Sequence, residues 1–170
     1  LFDCRLYRTD GTSAGTRIVT DFALHAGIPT AWNSVAVFRG SDPNTSEDAL
    51  WKTDGTSAGT VRIAPPPGSS LTPMKIAAAG PRLVFSATDT LNGSRMWQSD
   101  GTAAGTVPLQ PLLTPSTNLS AAGGKVVFLA DDGSHGPEPW VSDGTASGTR
   151  LLADIVPGPQ GSIPNSDPFI

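Results

Sequence analysis

One ten-residue pattern occurs four times in this chain of 170 residues: aromatic-x-[ST]-D-G-T-x-x-G-T. Its aspartates, Asp10, Asp54, Asp100 and Asp143, stand 44, 46 and 43 positions apart. The aromatic three residues earlier is Tyr7, Trp51, Trp97 or Trp140, and the glycine after each aspartate is Gly11, Gly55, Gly101 or Gly144. A second signature lies upstream. Phe38, Phe85 and Phe128 follow short apolar runs 13, 12 and 12 residues before the tryptophan, and five residues before each Phe stands Asn33, Gly80 or Gly123. These are residue types that tolerate positive φ, so each marks a tight turn. A period of this size describes one supersecondary unit that buries its faces only by stacking on its neighbours.

Each full repeat reads as four short strands. In the last copy these are Asn118–Ala122, Lys125–Ala130, Glu138–Ser142 and Thr149–Asp154, joined by turn-rich segments, with the Pro-rich stretch Val156–Pro164 leading onward. Turn signals every 8–12 residues mark an all-β meander. Gly (19) and Pro (16) make up about a fifth of the chain, which argues against a helical bundle. The expected fold is therefore all-β, a β-propeller or propeller fragment of four-stranded antiparallel blades with about 44 residues per repeat. The expected divisions are a partial blade over 1–23, blades over 24–66, 71–112 and 116–157, and the start of a further blade over 162–170. An open arc of a larger ring is the expected arrangement, with a compact four-bladed ring as the alternative.

The motif is accounted for by local structure. The Asp accepts backbone N–H groups as an Asx turn, the Gly supplies positive φ, the Thr hydroxyl closes a further bond, and the later Gly-Thr bends the chain into the next strand. A repeated ligand or calcium site is the functional alternative. The aromatics are expected between blades, with an exposed sugar-stacking platform as the alternative. Asp131, Asp132 and Glu138 cluster in one hairpin, as do Ser41, Asp42, Glu47 and Asp48. Oxygen-rich loops hold Ca²⁺, the one cofactor these hairpins admit, although no EF-hand spacing is present. Trp32, outside the repeated position, and His25, seven residues before it, are the candidate ligand-binding residues; a packed turn residue is the alternative for Trp32. His25 and His135 share no motif, and Cys4 is expected to be a strand residue.

Charge narrows the partners. The 11 Lys and Arg are dispersed, the net charge is −4 and the pI about 4.9, so nucleic acid is not expected. No apolar stretch reaches the ~20 residues of a membrane span. No G-x-S-x-G, H-E-x-x-H or P-loop occurs. Asn44, Asn92 and Asn118 begin N-x-[ST] sequons.

The stretch Ala49-Leu50-Trp51-Lys52-Thr53-Asp54-Gly55-Thr56 and its counterparts at Trp97 and Trp140 resemble the bacterial ELWxxDGT repeat. The tail from Asp154 to Ser162 resembles the D-I-x-P-G-x-x-G-S segment that follows in that family, and the similarity covers essentially the whole chain. The departures are Ala49 and Arg95 where the Glu stands, Met96 and Pro139 where the Leu stands, and Tyr7 for Trp. The resemblance implies a large bacterial surface or secreted protein, and architecture more than chemistry. The spacing of Ala87, Asp89, Gly93 and Trp97, and of Ala130, Asp132, Gly136 and Trp140, is similar to the tryptophan-docking motif of quinoprotein propellers, with Asn92 and His135 where Thr is usual. That likeness implies inter-blade docking by Trp97 and Trp140 and no quinone cofactor. The DGT loop also resembles the Asp-box of sialidase propellers, with the Trp on the other side of the Asp.

The expected function is a non-catalytic scaffold or binding region, an adhesion or carbohydrate- or protein-binding surface at the cell surface or outside the cell. Its partners would be a glycan or protein ligand and the remaining blades of the same chain. One alternative is part of a glycan-active or quinoprotein-like propeller enzyme with catalytic residues outside this segment; another is a calcium-stiffened stalk.

Overall fold

The computed structural model describes residues 5–20, 27–41, 45, 47–90, 93–116 and 119–162. These residues form antiparallel sheets and no helix. The first sheet pairs β1 (Tyr7–Arg8) with β2 (Arg17–Ile18). The second runs β3 (Thr30–Trp32), β4 (Val35–Ser41), β5 (Asp48–Thr53) and β6 (Val61–Ile63), paired in chain order. The third repeats this order with β7 (Leu71–Ala79), β8 (Arg82–Asp89), β9 (Gly93–Ser99) and β10 (Val107–Pro108).

The fourth sheet departs from the single first strand that the sequence suggests. Both β11 (Thr114–Pro115) and β12 (Ser120–Ala122) pair with β13 (Lys125–Asp131), at opposite ends of it, and β14 (Glu138–Ser142) and β15 (Arg150–Leu151) follow. In the third sheet the same edge is one strand with a register shift between Pro73 and Lys75. Proline has no N–H to give the ladder, so Pro73 sits beside an irregularity and Pro115 ends a fragment. The last strand is shorter than Thr149–Asp154, although the N–H of Leu152 still donates to Pro139 O at 2.8 Å.

The turns between first and second strands fall at Asn33 (φ 52°), Gly80 (φ 58°) and Gly123 (φ 56°). They fix the register that follows. Each Phe stands directly opposite its tryptophan: Phe38 across from Trp51, Phe85 from Trp97, Phe128 from Trp140. The Phe85 and Trp97 rings stack with centroids 6.5 Å apart.

Alternation along a strand sends successive side chains to opposite faces. On β8, Leu83, Phe85 and Ala87 join a core with Trp32, Val37, Leu50 and Ile63 of the second sheet. Val84, between them, joins a core with Val126, Phe128, Ala130 and Trp140 of the fourth. The third sheet is therefore buried on both faces. The direction is constant. Phe38 and Trp51 pack with Leu6 of the first repeat, Phe85 and Trp97 against the second sheet, Phe128 and Trp140 against the third. Each Phe–Trp pair faces the preceding sheet, and the sheets stack in chain order.

Candidate functional site

The DGT loop joins the last two strands of each sheet, and six side-chain bonds recur in all four copies. The Thr12 N–H and hydroxyl both donate to Asp10 Oδ1, at 2.9 and 2.7 Å. Thr56 on Asp54, Thr102 on Asp100 and Thr145 on Asp143 do likewise. The Thr hydroxyl in turn accepts the N–H of the motif's second glycine, at 2.9–3.0 Å. The final threonine donates to the carbonyl of the DGT threonine at 2.6–2.7 Å. Its single proton is then spent, so the hydroxyl at the head of the motif (Thr9, Thr53, Ser99 or Ser142) donates to it, at 2.7–2.8 Å. That same head hydroxyl accepts the N–H of the DGT glycine at 2.9–3.0 Å. Every polar residue type of the pattern has a bond within the loop.

The glycines meet two different demands. Gly11, Gly55, Gly101 and Gly144 have φ of 84–91°, a region that L side chains avoid. The second glycines, Gly15, Gly59, Gly105 and Gly148, leave room for a carboxylate: a Cβ at any of them would overlap the aspartate of its own loop. From sequence, this Gly-Thr reads as a second bend and a strand start; the nearer cause is the space the aspartate occupies and the bonds of the threonine.

The loops also touch the preceding sheet, which the sequence did not suggest. A Cβ on Gly55 would lie 3.7 Å from Arg8 Cδ, one on Gly101 3.0 Å from the Trp32 ring, and one on Gly144 2.7 Å from Arg82 Cβ. Lys52 Nζ donates to Gly101 O at 3.3 Å. Trp32 is thus buried at the junction of the second and third sheets, in the core with Phe85 and Trp97. It offers no exposed stacking face, and its proposed partner His25 lies outside the described residues, as do Cys4, Asp42, Asn44, Asn92 and Asn118.

The acidic hairpin of the fourth sheet does not gather its carboxylates. Asp131 accepts the Gly133 N–H at 2.7 Å. Asp132 accepts the N–H groups of Ser134 and His135 at 2.9 and 3.0 Å and pairs with His135 Nδ1 at 2.9 Å. Glu138 is buried and turned to the tail, where Ile155 N–H and Val156 N–H donate to its two oxygens at 3.2 and 3.0 Å. The tail continues back along the hairpin: Ser162 N–H donates to Pro137 O at 2.9 Å, and a Cβ on Gly136 would lie 2.6 Å from Gly161 N. The Glu of the Glu-x-Trp triplet and the D-I-x-P-G-x-x-G-S tail are therefore two halves of one contact. Ala49 and Arg95, which replace that Glu, precede other linkers. On the second hairpin, Asp48 pairs with Arg39 and accepts from Ser41 at 3.1 Å. Among the described residues, no three His, Cys, Asp or Glu side chains are placed to share a metal ion.

The electrostatics follow these bonds. The Thr hydroxyl, then the Thr N–H, holds each of Asp10, Asp54, Asp100 and Asp143 below the ordinary carboxylate value of 3.8. Burial pushes Asp132 up, and the N–H groups of Ser134 and His135 with the imidazole outweigh it, so it too is lowered. Burial also pushes Glu138 up, and the N–H groups of Val156 and Ile155 and the Ser162 hydroxyl bring it below its usual range. The hydrogen bond to Asp132, then that carboxylate's charge, raises His135 above 6.5.

A cavity of about 300 Å³ opens between the first and second sheets, lined by Leu6, Tyr7, Val19, Phe38 and Thr53 among others. Among the described residues, no helix is long and apolar enough to cross a membrane. Comparison of the chain with protein-family models and with curated proteins finds no match to either.

Proposed function

We propose that the chain is a run of β-propeller blades of the ELWxxDGT kind, acting as a non-catalytic scaffold and binding region of a larger bacterial surface or secreted protein. The observation that carries the reading is the use made of the repeated motif. Its hydroxyls, carboxylate and N–H groups are bonded within the loop, and its glycines and aromatics lie against the preceding sheet wherever one is complete. Repetition then follows from stacking together with the loop's own bonds. Four-stranded antiparallel sheets, paired in chain order and stacked face to face in sequence order, support the propeller geometry. Ligand contacts on such a scaffold belong to loops that depart from the repeat, which here include the Asp131–Pro137 hairpin. The secreted or surface location rests on the repeat resemblance.

The test is thermal melting of the purified chain in Ca²⁺, in chelator and with a glycan panel. The scaffold reading expects one cooperative transition that Ca²⁺ and chelator leave in place. A rise with Ca²⁺ that chelator reverses replaces it with the calcium-stiffened stalk, and a rise with one glycan class identifies the bound ligand.

A further inference from the structure

The dipeptide Asp-Gly stands at residues 10–11, 54–55, 100–101, 132–133 and 143–144, and all of these but 132–133 lie in DGT loops. Asp-Gly is open to attack on itself, because glycine has no Cβ to keep its nitrogen from the aspartate carboxyl. In that reaction the glycine nitrogen bonds to the aspartate Cγ and one Cγ–O bond breaks. The amide proton and the carboxyl proton leave with that oxygen as water. A second water then opens the five-membered imide at either carbonyl. One opening restores aspartate, and the other gives isoaspartate, which places Cβ in the main chain.

The DGT loop opposes each requirement of that reaction. The peptide plane must turn to present its nitrogen, yet the Gly101 N–H donates to Ser99 Oγ at 3.0 Å. Ser99 Oγ is itself fixed by its buried bond to the Thr106 hydroxyl at 2.8 Å. Gly55 on Thr53 and Gly144 on Ser142 are held the same way, at 3.0 and 2.9 Å. The carboxyl carbon must also move, yet Asp100 Oδ1 is tied to the Thr102 N–H and hydroxyl, and the group fills the space of a Gly105 Cβ. The same two bonds hold the carboxyl below its ordinary 3.8, so little of it carries the proton that the departing water needs. Finally, a lengthened main chain must fit. Gly101 has no slack for it, because the Trp32 ring lies 3.0 Å from where its Cβ would be. Asp132-Gly133 has no head hydroxyl: its N–H donates to the Asp131 carboxylate, and its Cβ position is open.

We propose that the head hydroxyl of the DGT loop, at Thr53, Ser99 and Ser142, is a guard that closes the adjoining Asp-Gly peptide to isoaspartate formation, and that its loss turns the aspartate into a modification site. In the test, the full folded chain is held near neutral pH in water enriched in heavy oxygen. It is then returned to ordinary water, digested and mapped by mass. Each passage through the imide leaves one heavy oxygen at that aspartate, whichever way the ring opens. The same incubation in urea gives the rate of each peptide without its loop. Labelling of Asp54, Asp100 and Asp143 is expected to be slower in the folded chain by about tenfold or more, as for a step that needs a local opening. Ser99→Ala takes the acceptor from the Gly101 N–H, and labelling at Asp100 is expected to rise about fivefold, the factor one such bond contributes. Asp54 and Asp143 of the same molecules should keep their rates. Ser99→Thr, the residue type at position 53, should restore the slow rate. Thr53→Val repeats the test at Asp54, with Asp100 as the reference. Loss of the global fold raises every loop together, so the ratio between loops reads the local effect. Labelling of the folded unsubstituted chain as fast as in urea overturns the proposal. So does a ratio between loops that neither Ser99→Ala nor Thr53→Val changes.

Discussion

The two kinds of loop on these sheets obey different constraints. The loop between the last two strands of each sheet is the DGT loop, and its six bonds recur with lengths that agree within about 0.1 Å. The loop from second to third strand varies. In the third sheet it ends at Gly93 with φ 70°, and in the fourth it is the Asp131–Pro137 hairpin with its Asp132–His135 pair. The difference has a physical source. The DGT loop must close its own bonds and also fit the sheet before it, so nearly every residue is fixed twice. The other loop has only to connect two strands and bond its own N–H groups, and several sequences do that.

The largest expected effect separates the two directly. Gly105→Ala puts a methyl where the Asp100 carboxylate lies, so either the Asx turn or the backbone must give way. We expect a loss of about 3 kcal/mol in urea unfolding, the upper end of overpacking costs. Gly133→Ala in the variable loop meets open space, and its φ of 83° is the only penalty. Its expected cost is about 1 kcal/mol. Equal losses at the two positions would break the comparison. Next in size is Asp100→Ala, which strips the acceptor from the Thr102 N–H and hydroxyl. Both donors are near solvent, so water replaces much of the bond and the expected loss is about 1 kcal/mol, read as a shift in urea midpoint without a change in slope.

How much of this was legible depended on whether a constraint is local. The Asx turn at Asp100, the positive φ at Gly101 and the turn at Gly123 follow from residue type, and the sequence showed them. The Phe85–Trp97 pairing needed only constant spacing between two strands of one hairpin. The second glycine was visible as a pattern, but its cause was not. Nothing in Gly-Thr says that a carboxylate five residues earlier folds over the glycine. The contacts that the DGT loops make with the preceding sheet are out of reach for another reason. Lys52 and Gly101 are 49 residues apart, and only the stacking of whole sheets joins them. Trp32 stands out in the sequence as irregular, and it lies in the core at the junction of two sheets, because an unusual aromatic fills an unusual gap as readily as it binds a ligand. Proximity in sequence groups Glu138 with Asp131 and Asp132. Its carboxylate instead caps the tail, and the signal that pairs them is that Ala49 and Arg95 precede linkers without the D-I-x-P-G segment.

That pairing sharpens the comparison within the variable class, because it gives one such hairpin a second task. Glu138→Gln keeps the size of the side chain and replaces one acceptor oxygen with a donor, so one of the two tail N–H groups loses its partner. Amide exchange at Ile155 and Val156 is expected to quicken by roughly tenfold, a local opening that leaves the global melt nearly in place. Exchange at Thr102 and Gly105, in a DGT loop of another sheet, should not change. Faster exchange everywhere would mean that the tail contact supports the whole stack.

The smallest effect is a difference in pH dependence, and it assigns opposite limbs of one titration to the two loop types. The DGT aspartates have folded values below 3.8, so the stability they contribute is complete above that value and is lost as pH falls through the lower folded one. His135 has its value raised above 6.5 by Asp132, with Asp154 and Glu138 adding to the same direction. Its contribution is complete below 6.5 and is lost as pH rises through the raised value. Melting midpoints from acid to alkaline should therefore fall at both ends. His135→Asn should flatten the slope above 6.5 and, by removing one of the groups that lower Asp132, trim the acid limb a little, whereas Asp100→Asn should reduce the acid limb and leave the slope above 6.5 in place. An alkaline slope that survives in His135→Asn would show that the imidazole–carboxylate pair contributes nothing to the fold, leaving that hairpin held by the N–H groups on Asp131 and Asp132 and by the tail against Pro137.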